Sequence, residues 1–406
     1  MVMKQTQTKL FDFSDVGLDF SAGSKALFPD RFKKMLALGY NPQTASSASI
    51  TGNQVTLTYG VTHGYVADRV LQVTAAGGYN KEVYIDSVTS STVTFTDATA
   101  TGLTGLISTK VAPLGWELVY ELAEVQLYKM KYLDERDLYI RLIYSTGNNK
   151  SVINICAGKT ANIVAGTITD TNSYEPTRSN TVAISGFGFI TWYQALNAYN
   201  NYTYSQGFPV SGKACLIGSK YHLCLMLSAW NASGGRVYGV FPFSNIGYDV
   251  LDYPMIVGQY FTSAISTTTT SEQTQLNTSS VGSAFYVGNV AASAAQNNTA
   301  NEAIDSASIG LSSFLPNAID GFNTTTAAPI PLYERDTKQF IGIVSGGLYR
   351  AALKASNVNY TMASAPNITS DIENSNLVVV NYPFSNQNNN FMHAFAAPIE
   401  EIKIVS

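Results

Sequence analysis

Few residues of this chain have the types and spacing that catalysis requires. A Gly-Lys-Thr run at positions 158–160 matches the end of a phosphate-binding loop, but that motif needs a glycine where the chain has Ile153. A Gly-Phe-Gly run at 186–188 lacks the third glycine of a dinucleotide-binding loop. We therefore interpret 158–160 as a turn between strands and 186–188 as part of a strand.

The histidines do not form a metal-binding pattern. Of His63, His222 and His393, only His222 has a second candidate ligand nearby, Cys224 two residues further on. On a strand these two side chains would share a face, but two ligands do not make a zinc site. We interpret them as a core or interface pair and predict no metal and no cofactor.

Acidic residues are densest at Asp134, Glu135 and Asp137, which flank Arg136. The cluster lies between two strand-like runs, so a charged loop is the favoured interpretation. Paired carboxylates for glycoside cleavage are the alternative, as in a virion depolymerase, and nothing in the spacing points to them. The sequence therefore predicts a protein that is not an enzyme.

The cysteine pattern indicates free thiols. There are three cysteines, an odd number without a Cys-x-x-Cys pair, and each lies in an apolar run that is typical of a strand. We expect Cys156, Cys215 and Cys224 to be buried and reduced, in a chain made in a reducing cytoplasm.

The composition is that of a polar but weakly charged surface. Only 13% of the residues are charged, against about 25% in an ordinary soluble domain. The chain has 25 Tyr and 19 Phe residues, which are typical of contact surfaces. The net charge of -4 predicts no nucleic-acid partner, and no apolar run is long enough for a membrane span or a secretion signal.

Hydrophobic periodicity predicts an all-β fold of mainly antiparallel β-sandwich or barrel domains, with a short N-terminal helix and long ordered loops. We expect Asp30 to cap the helix and Gly39 to end it. The Gly pair at 346–347 predicts a hairpin between the strands at 340–344 and 348–350. The expected regions are an N-terminal arm and helix at 1–45, a small β domain at 46–112, a main β-sandwich at 113–261, a Ser/Thr/Asn-rich lobe or loop at 262–328, and C-terminal strands at 329–406 that complete the main domain.

Two segments are candidates for contact with a partner. The N-terminal arm has large apolar side chains without a clean period, so it needs a surface to lie on, in its own domain or in a neighbouring subunit. The second segment is an Asn-rich loop with several Tyr residues, which suits either subunit contact or sugar stacking. The candidate contact residues are Phe11, Phe13, Leu18, Phe20, Tyr199, Tyr202 and Tyr204.

The segment at 55–95 resembles small β domains of tailed-bacteriophage virion proteins. The resemblance rests on a Gly-x-x-x-Gly-Tyr turn, an Asp-Arg-Val strand, an Asn before a strand and a Ser/Thr-rich hairpin. The matching positions are Gly60, Gly64, Tyr65, Asp68, Arg69, Val70, Asn80 and 90–94. Runs at 116–121 and 202–208 are also similar to segments of large-phage structural proteins.

This resemblance implies a repeated structural subunit of a virion, in the tail, baseplate or neck, made in the cytoplasm of the bacterial host. The implied partners are other virion proteins and copies of the chain itself. The alternatives are a receptor-binding subunit at the tail tip, which would bind a host surface glycan, and a capsid decoration protein.

Overall fold

A computed structural model of the chain describes residues 8–18, 26–147, 152–174, 177–183, 187–188, 190–191, 214–228, 235–260, 283–293, 326–328, 330–334, 336–352, 367–370, 376–383 and 392–399. Strands dominate these residues and every strand pairing is antiparallel, which confirms the all-β prediction. No helix in this part of the chain is long and apolar enough to span a membrane.

The N-terminal region has one strand and one short helix. They are β1 (Lys9–Asp12) and α1 (Phe28–Lys33), which continues as a π-helical turn (Lys34–Leu38). The predicted cap is wrong: Leu27 is the N-cap without a side-chain hydrogen bond, and Asp30 lies inside the first turn beside Arg31. Gly39 ends the helix as predicted, with φ of +76°, a conformation that costs a residue with a Cβ more than it costs glycine.

Two four-stranded sheets form a small β unit. Its strands are β2 (Tyr40–Ala45), β3 (Ser47–Thr51), β4 (Gln54–Thr58), β5 (Val70–Ala75), β6 (Asn80–Tyr84), β7 (Ser87–Val88), β8 (Thr92–Thr96) and β9 (Ile107–Val111). The sheet orders are β2-β9-β5-β6 and β3-β4-β8-β7. The unit begins at Tyr40, inside the predicted arm, because β2 pairs with β9.

A third sheet follows, with the order β10-β11-β12-β13-β17. The strands of this part of the chain are β10 (Glu117–Leu122), β11 (Val125–Lys131), β12 (Asp137–Tyr144), β13 (Val152–Gly158), β14 (Ala161–Asn162), β15 (Thr167–Ile168), β16 (Phe187–Gly188) and β17 (Ile190–Thr191). The Gly-Lys-Thr run lies at the turn between β13 and β14, as predicted.

The largest sheet has eleven strands, and its order begins with β1. The remaining strands of the chain are β18 (Ala214–Ser219), β19 (His222–Ser228), β20 (Gly235–Phe241), β21 (Phe243–Asn245), β22 (Met255–Tyr260), β23 (Ser283–Val287), β24 (Val290–Ser293), β25 (Thr326–Ala328), β26 (Pro331–Glu334), β27 (Phe340–Val344), β28 (Tyr349–Ala352), β29 (Asn367–Ser370), β30 (Asn376–Pro383) and β31 (Met392–Ile399). A short 3₁₀ helix spans Asp249–Leu251.

The eleven-stranded sheet closes on itself through a bent strand. β20 pairs with β22, Pro242 interrupts the ladder, and β21 pairs with β27. The neighbours β22, β23, β24, β26 and β27 complete the ring. The β23–β24 hairpin lies within the predicted 262–328 lobe, so part of that lobe belongs to the main sheet.

The hairpin predicted around the glycine pair at 346–347 is wrong. β27 pairs with β26 and β21, whereas β28 belongs to a separate sheet, β25-β28-β31-β30-β29. Gly347 has φ of +77°, and a Cβ at this position would lie 2.5 Å from Cδ2 of His222. The two glycines therefore let the chain pass the buried imidazole of His222 on its way from one sheet to the next. Only part of the C-terminal region completes the main sheet.

Alternate residues of β18 and β19 enter two different cores. Leu216 and Leu225 lie opposite each other and pack into the cluster that includes the N-terminal arm, the small β unit and the third sheet. Ile217 and Cys224, the next opposed pair, pack into the cluster inside the ring, which also includes Ile399 of β31. The hairpin is covered on both faces, which explains its nearly continuous apolar sequence.

Candidate interaction surfaces

The segment at 55–95 contacts the N-terminal arm of its own chain. Arg69 donates from Nε to Asp15 Oδ2 at 2.7 Å and from Nη2 to Oδ1 at 2.9 Å, and Tyr40 donates to the same carboxylate at 2.6 Å. A Cβ on Gly64 would lie 2.9 Å from Cγ2 of Val16, so the arm passes where only glycine leaves room. Gly64 and Arg69, which both lie in the segment at 55–95, thus position the arm.

The arm residues predicted to contact a partner lie in the core of their own chain. Phe11, Phe13 and Leu18 have exposed fractions of 0%, 1% and 0%, and all three belong to the large core cluster. They leave no surface for another subunit, so the alternative that the arm lies on its own domain is the correct one. Pairing of β1 with β18 is the physical reason, because it draws the arm into the sheet. The other candidates, Phe20, Tyr199, Tyr202 and Tyr204, lie outside the described residues.

His63 is a core histidine. Its ring stacks on Tyr65 at 5.2 Å and lies 4.9 Å from the ring of Tyr59. Both tyrosine hydroxyls bond Thr109 Oγ1, and burial raises the pKa of Tyr59 to about 12. The cluster is buried and locks the two sheets of the small β unit together.

His222 forms a buried pair with Ser219, at 2.8 Å between Oγ and Nδ1. The geometry is that of a nucleophile beside a base. However, Ser219 is 1% exposed and His222 is 3% exposed, so a substrate has no access. Burial lowers the pKa of His222 to about 4. The pair stabilises the β18–β19 turn, where Ser219 Oγ also accepts a hydrogen bond from the backbone of Tyr221.

All three cysteines are free and buried, as predicted. Burial raises the pKa of Cys156 to about 12 and raises the pKa of Cys215 and Cys224 as well. Because the thiolate is the reactive form, these thiols are unreactive near neutral pH. Among the described residues, no three His, Cys, Asp or Glu side chains are grouped to hold a metal ion.

The acidic cluster is a charged loop, as predicted, and its charges are paired. Arg136 bonds both carboxylate oxygens of Asp252, and hydrogen bonding to Arg136 lowers the pKa of that carboxyl. Lys220 and the hydroxyl of Tyr221 bond Glu135. The loop therefore joins the third sheet to the main sheet.

Arg141 is a buried cation whose hydrogen-bond partners in the described part of the chain are backbone carbonyls rather than carboxylates. Its exposed fraction is 1%, and its guanidinium donates to the carbonyl oxygens of Gly166, Thr177 and Asn180 at 2.6, 2.9 and 2.5 Å. Burial lowers its pKa. The three carbonyls all belong to the excursion after β13, so Arg141 fixes this excursion onto the third sheet.

An exposed apolar patch lies where the ring closes. Asn245 Oδ1 accepts hydrogen bonds from the backbone N–H groups of Gly247 and Tyr248, which turns the chain and leaves the side chains around the turn in solvent. The patch consists of Ile246, Tyr248, Val250, Phe340 and Ile343, with exposed fractions between 38% and 53%.

The backbone N–H of Ile246 donates to the carbonyl of Ile341, which ties the segment that begins at Ile246 to β27. Clustered apolar exposure of this kind marks contact sites. Sequence reasoning missed the patch, because alternation of Ile246, Tyr248 and Val250 with polar residues is also the pattern of a half-buried strand. The alternation of apolar residues continues across Gly247, a residue typical of turns, and this could have indicated exposed apolar side chains.

The outer face of the sheet β2-β9-β5-β6 has an open polar groove of about 670 Å³. Ser108 lies opposite both Thr44 and Thr74, so small hydroxyl side chains form a row across three strands. Lys110 is the charged group of the lining, and its Nζ donates to the carbonyl of Leu38 at 2.8 Å. The lining residues are Pro42, Gln43, Thr44, Gln72, Thr74, Ser108, Thr109 and Lys110.

No protein-family model, curated protein or solved structure matches the chain.

Proposed function

We propose that the chain is a structural subunit of a tailed-phage virion, in the tail, baseplate or neck, that acts through contacts with copies of itself and with other virion proteins. The observation that carries the proposal is the exposed apolar patch at Ile246, Tyr248, Val250, Phe340 and Ile343 in a weakly charged chain. The phage-like pattern at 55–95 supports the virion context. The same exposed apolar patch would also support the alternative role of a capsid decoration protein.

The test is particle composition and assembly. Particles purified from the source of the chain should contain it in many copies, counted by mass spectrometry and located by electron microscopy. Tyr248→Lys should reduce incorporation, because a lysine ammonium in an apolar contact must lose its hydration. Val164→Lys is the matched control, since Val164 is 86% exposed and lies outside the patch. Particles that lack the chain, or equal incorporation of both variants, would contradict the proposal.

The polar groove supports a second candidate function, a receptor-binding subunit for a host surface glycan. Neutral hydroxyl and amide side chains can hydrogen-bond sugar hydroxyls, and the groove is open to solvent. A glycan array with the purified chain tests this function. Ser108→Trp should fill the groove and abolish binding, whereas Thr96→Trp, on the other sheet of the small β unit, should not. Absence of binding by the wild-type chain would exclude it.

A further inference from the structure

In the part of the chain that the structure describes, β3 is an exposed sheet edge. It pairs with β4, and it ends the order β3-β4-β8-β7. Four of its five residues are exposed, and Ala48 is half-buried. Every second residue of such a strand directs its N–H and C=O away from the sheet, which is a template for another strand.

The other edges of the small β unit carry the devices that block strand addition. β2 has Pro42 and an irregular register. β6 has Lys81 and Glu82, and β7 is only two residues long. β3, with the sequence Ser-Ala-Ser-Ile-Thr, has neither a charge nor a proline.

The sequence of β3 is complementary to itself. In an antiparallel pair centred on Ser49, Ala48 of each copy lies opposite Ile50 of the other, and Ser47 lies opposite Thr51. Ala48 and Ile50 pair with Leu57 and Val55, both fully buried, so they lie on the core-facing side of the sheet. Ile50 is 47% exposed because the sheet ends there.

We propose that β3 pairs with β3 of a second copy of this chain about a two-fold axis at Ser49. Pairing joins the two sheets into one of eight strands, gives the outward backbone groups hydrogen-bond partners and covers Ile50. No like charges meet across the axis. The inference rests on the proposed role as a self-associating subunit. Two five-residue strands bury far less than a standard interface of about 1,600 Å², so the contact acts together with others in an assembly.

Disulfide trapping tests the pairing with the full chain. In Ser49→Cys, the two introduced thiols lie opposite each other, with Cα atoms about 4.5 Å apart, which permits a disulfide. The variant should form covalent dimers under mild oxidation. Thr56→Cys is the control, because Thr56 lies opposite Ser49 on β4 and therefore one strand away from the axis. Equal trapping of both variants, or none for Ser49→Cys, would overturn the pairing.

Sedimentation of the purified chain gives a second, independent measurement. The wild-type chain should dimerise at concentrations up to about 1 mM, the range of weak contacts. Ser49→Lys should weaken dimerisation at least tenfold, because two ammonium groups then meet on the axis. Thr96→Lys adds the same charge on β8 and should dimerise as the wild type does. A wild-type chain that stays monomeric, or that dimerises equally with Ser49→Lys, rejects the pairing, while incorporation of the Tyr248 variant reports on the proposed function separately.

Discussion

Arg69 donates two hydrogen bonds to Asp15, and both side chains are more than nine-tenths buried. The two residues are far apart in sequence, and their contact fastens the N-terminal arm to the small β unit. Asp15 also accepts a hydrogen bond from Tyr40, so the carboxylate has partners on two elements.

Removal of one partner should be costly. We expect Arg69→Met to lower the free energy of unfolding by about 3–5 kcal/mol, because Asp15 is then buried without a cation. The double variant Arg69→Met with Asp15→Leu should recover much of the loss. Urea unfolding of the wild type, the single variant and the double variant measures these free energies of unfolding. Lys33→Met, at the more exposed Lys33–Glu121 pair, is the control and should cost at most about 1 kcal/mol. A single-variant loss as small as that of the control would contradict the assigned role.

Asp97 should make the fold sensitive to strong acid. Burial raises the pKa of its carboxyl, but hydrogen bonds from Lys81, Tyr79 and Thr99 outweigh burial and lower the pKa from 3.8 to about 2. A lowered pKa contributes stability above the unfolded-state pKa, and this stability is lost as the pH falls from about 4 to 2. We expect a loss of about 2 kcal/mol that Asp97→Asn does not show. Chemical unfolding at several pH values tests it; identical profiles of the two proteins would refute it.

His222 should act in a different pH window. Burial lowers its pKa from 6.5 to about 4, so the neutral ring stabilises the fold above pH 6.5, and this contribution is lost as the pH falls from 6.5 to 4. The expected loss is about 3 kcal/mol. His222→Asn should flatten the dependence of the unfolding free energy on pH in this window, whatever its stability at neutral pH. Asp97→Asn serves as the control, because it should change only the more acidic window.

Arg141 should resist even a conservative substitution. Arg141→Lys keeps the charge but cannot reach three carbonyl oxygens with one ammonium. We expect the free energy of unfolding to fall by about 3 kcal/mol. Limited proteolysis should cut first within 160–183, the excursion that Arg141 holds. Arg178→Lys is the matched control, because Arg178 bonds Asp170 of the same excursion through a 3.3 Å contact. A negligible loss for Arg141→Lys, as small as a negligible loss for Arg178→Lys, would show that the three carbonyl bonds are dispensable.

Local features of this fold could be predicted from the sequence. Apolar and polar residues alternate in β4 and β8, because one face of each strand is buried. Gly39 ended the helix, and apolar surroundings predicted the burial of Cys156, Cys215 and Cys224. In each case the neighbours in sequence determine the outcome.

Relations between distant segments could not be predicted in this way. Nothing near Phe11 shows that β1 pairs with β18, so the sequence left open whether the arm lies on its own domain or on a neighbouring subunit. Gly347 was interpreted from local turn chemistry, whereas its role depends on the ring of His222. The apolar patch also depends on distant pairing, since Ile246 follows β21 and Phe340 lies in β27, and these two strands pair.

The register of β1 against β18 determines when β1 can fold during synthesis of the chain. Lys9 pairs with Gly218, so β1 must wait for about 200 further residues, or about 10–40 s at ordinary rates of synthesis. Asp15 can meet Arg69 much sooner, once the small β unit has left the ribosome. The arm therefore has an early anchor and a late one, and in the interval the side chains of Leu10 and Phe11 have no finished sheet to cover them.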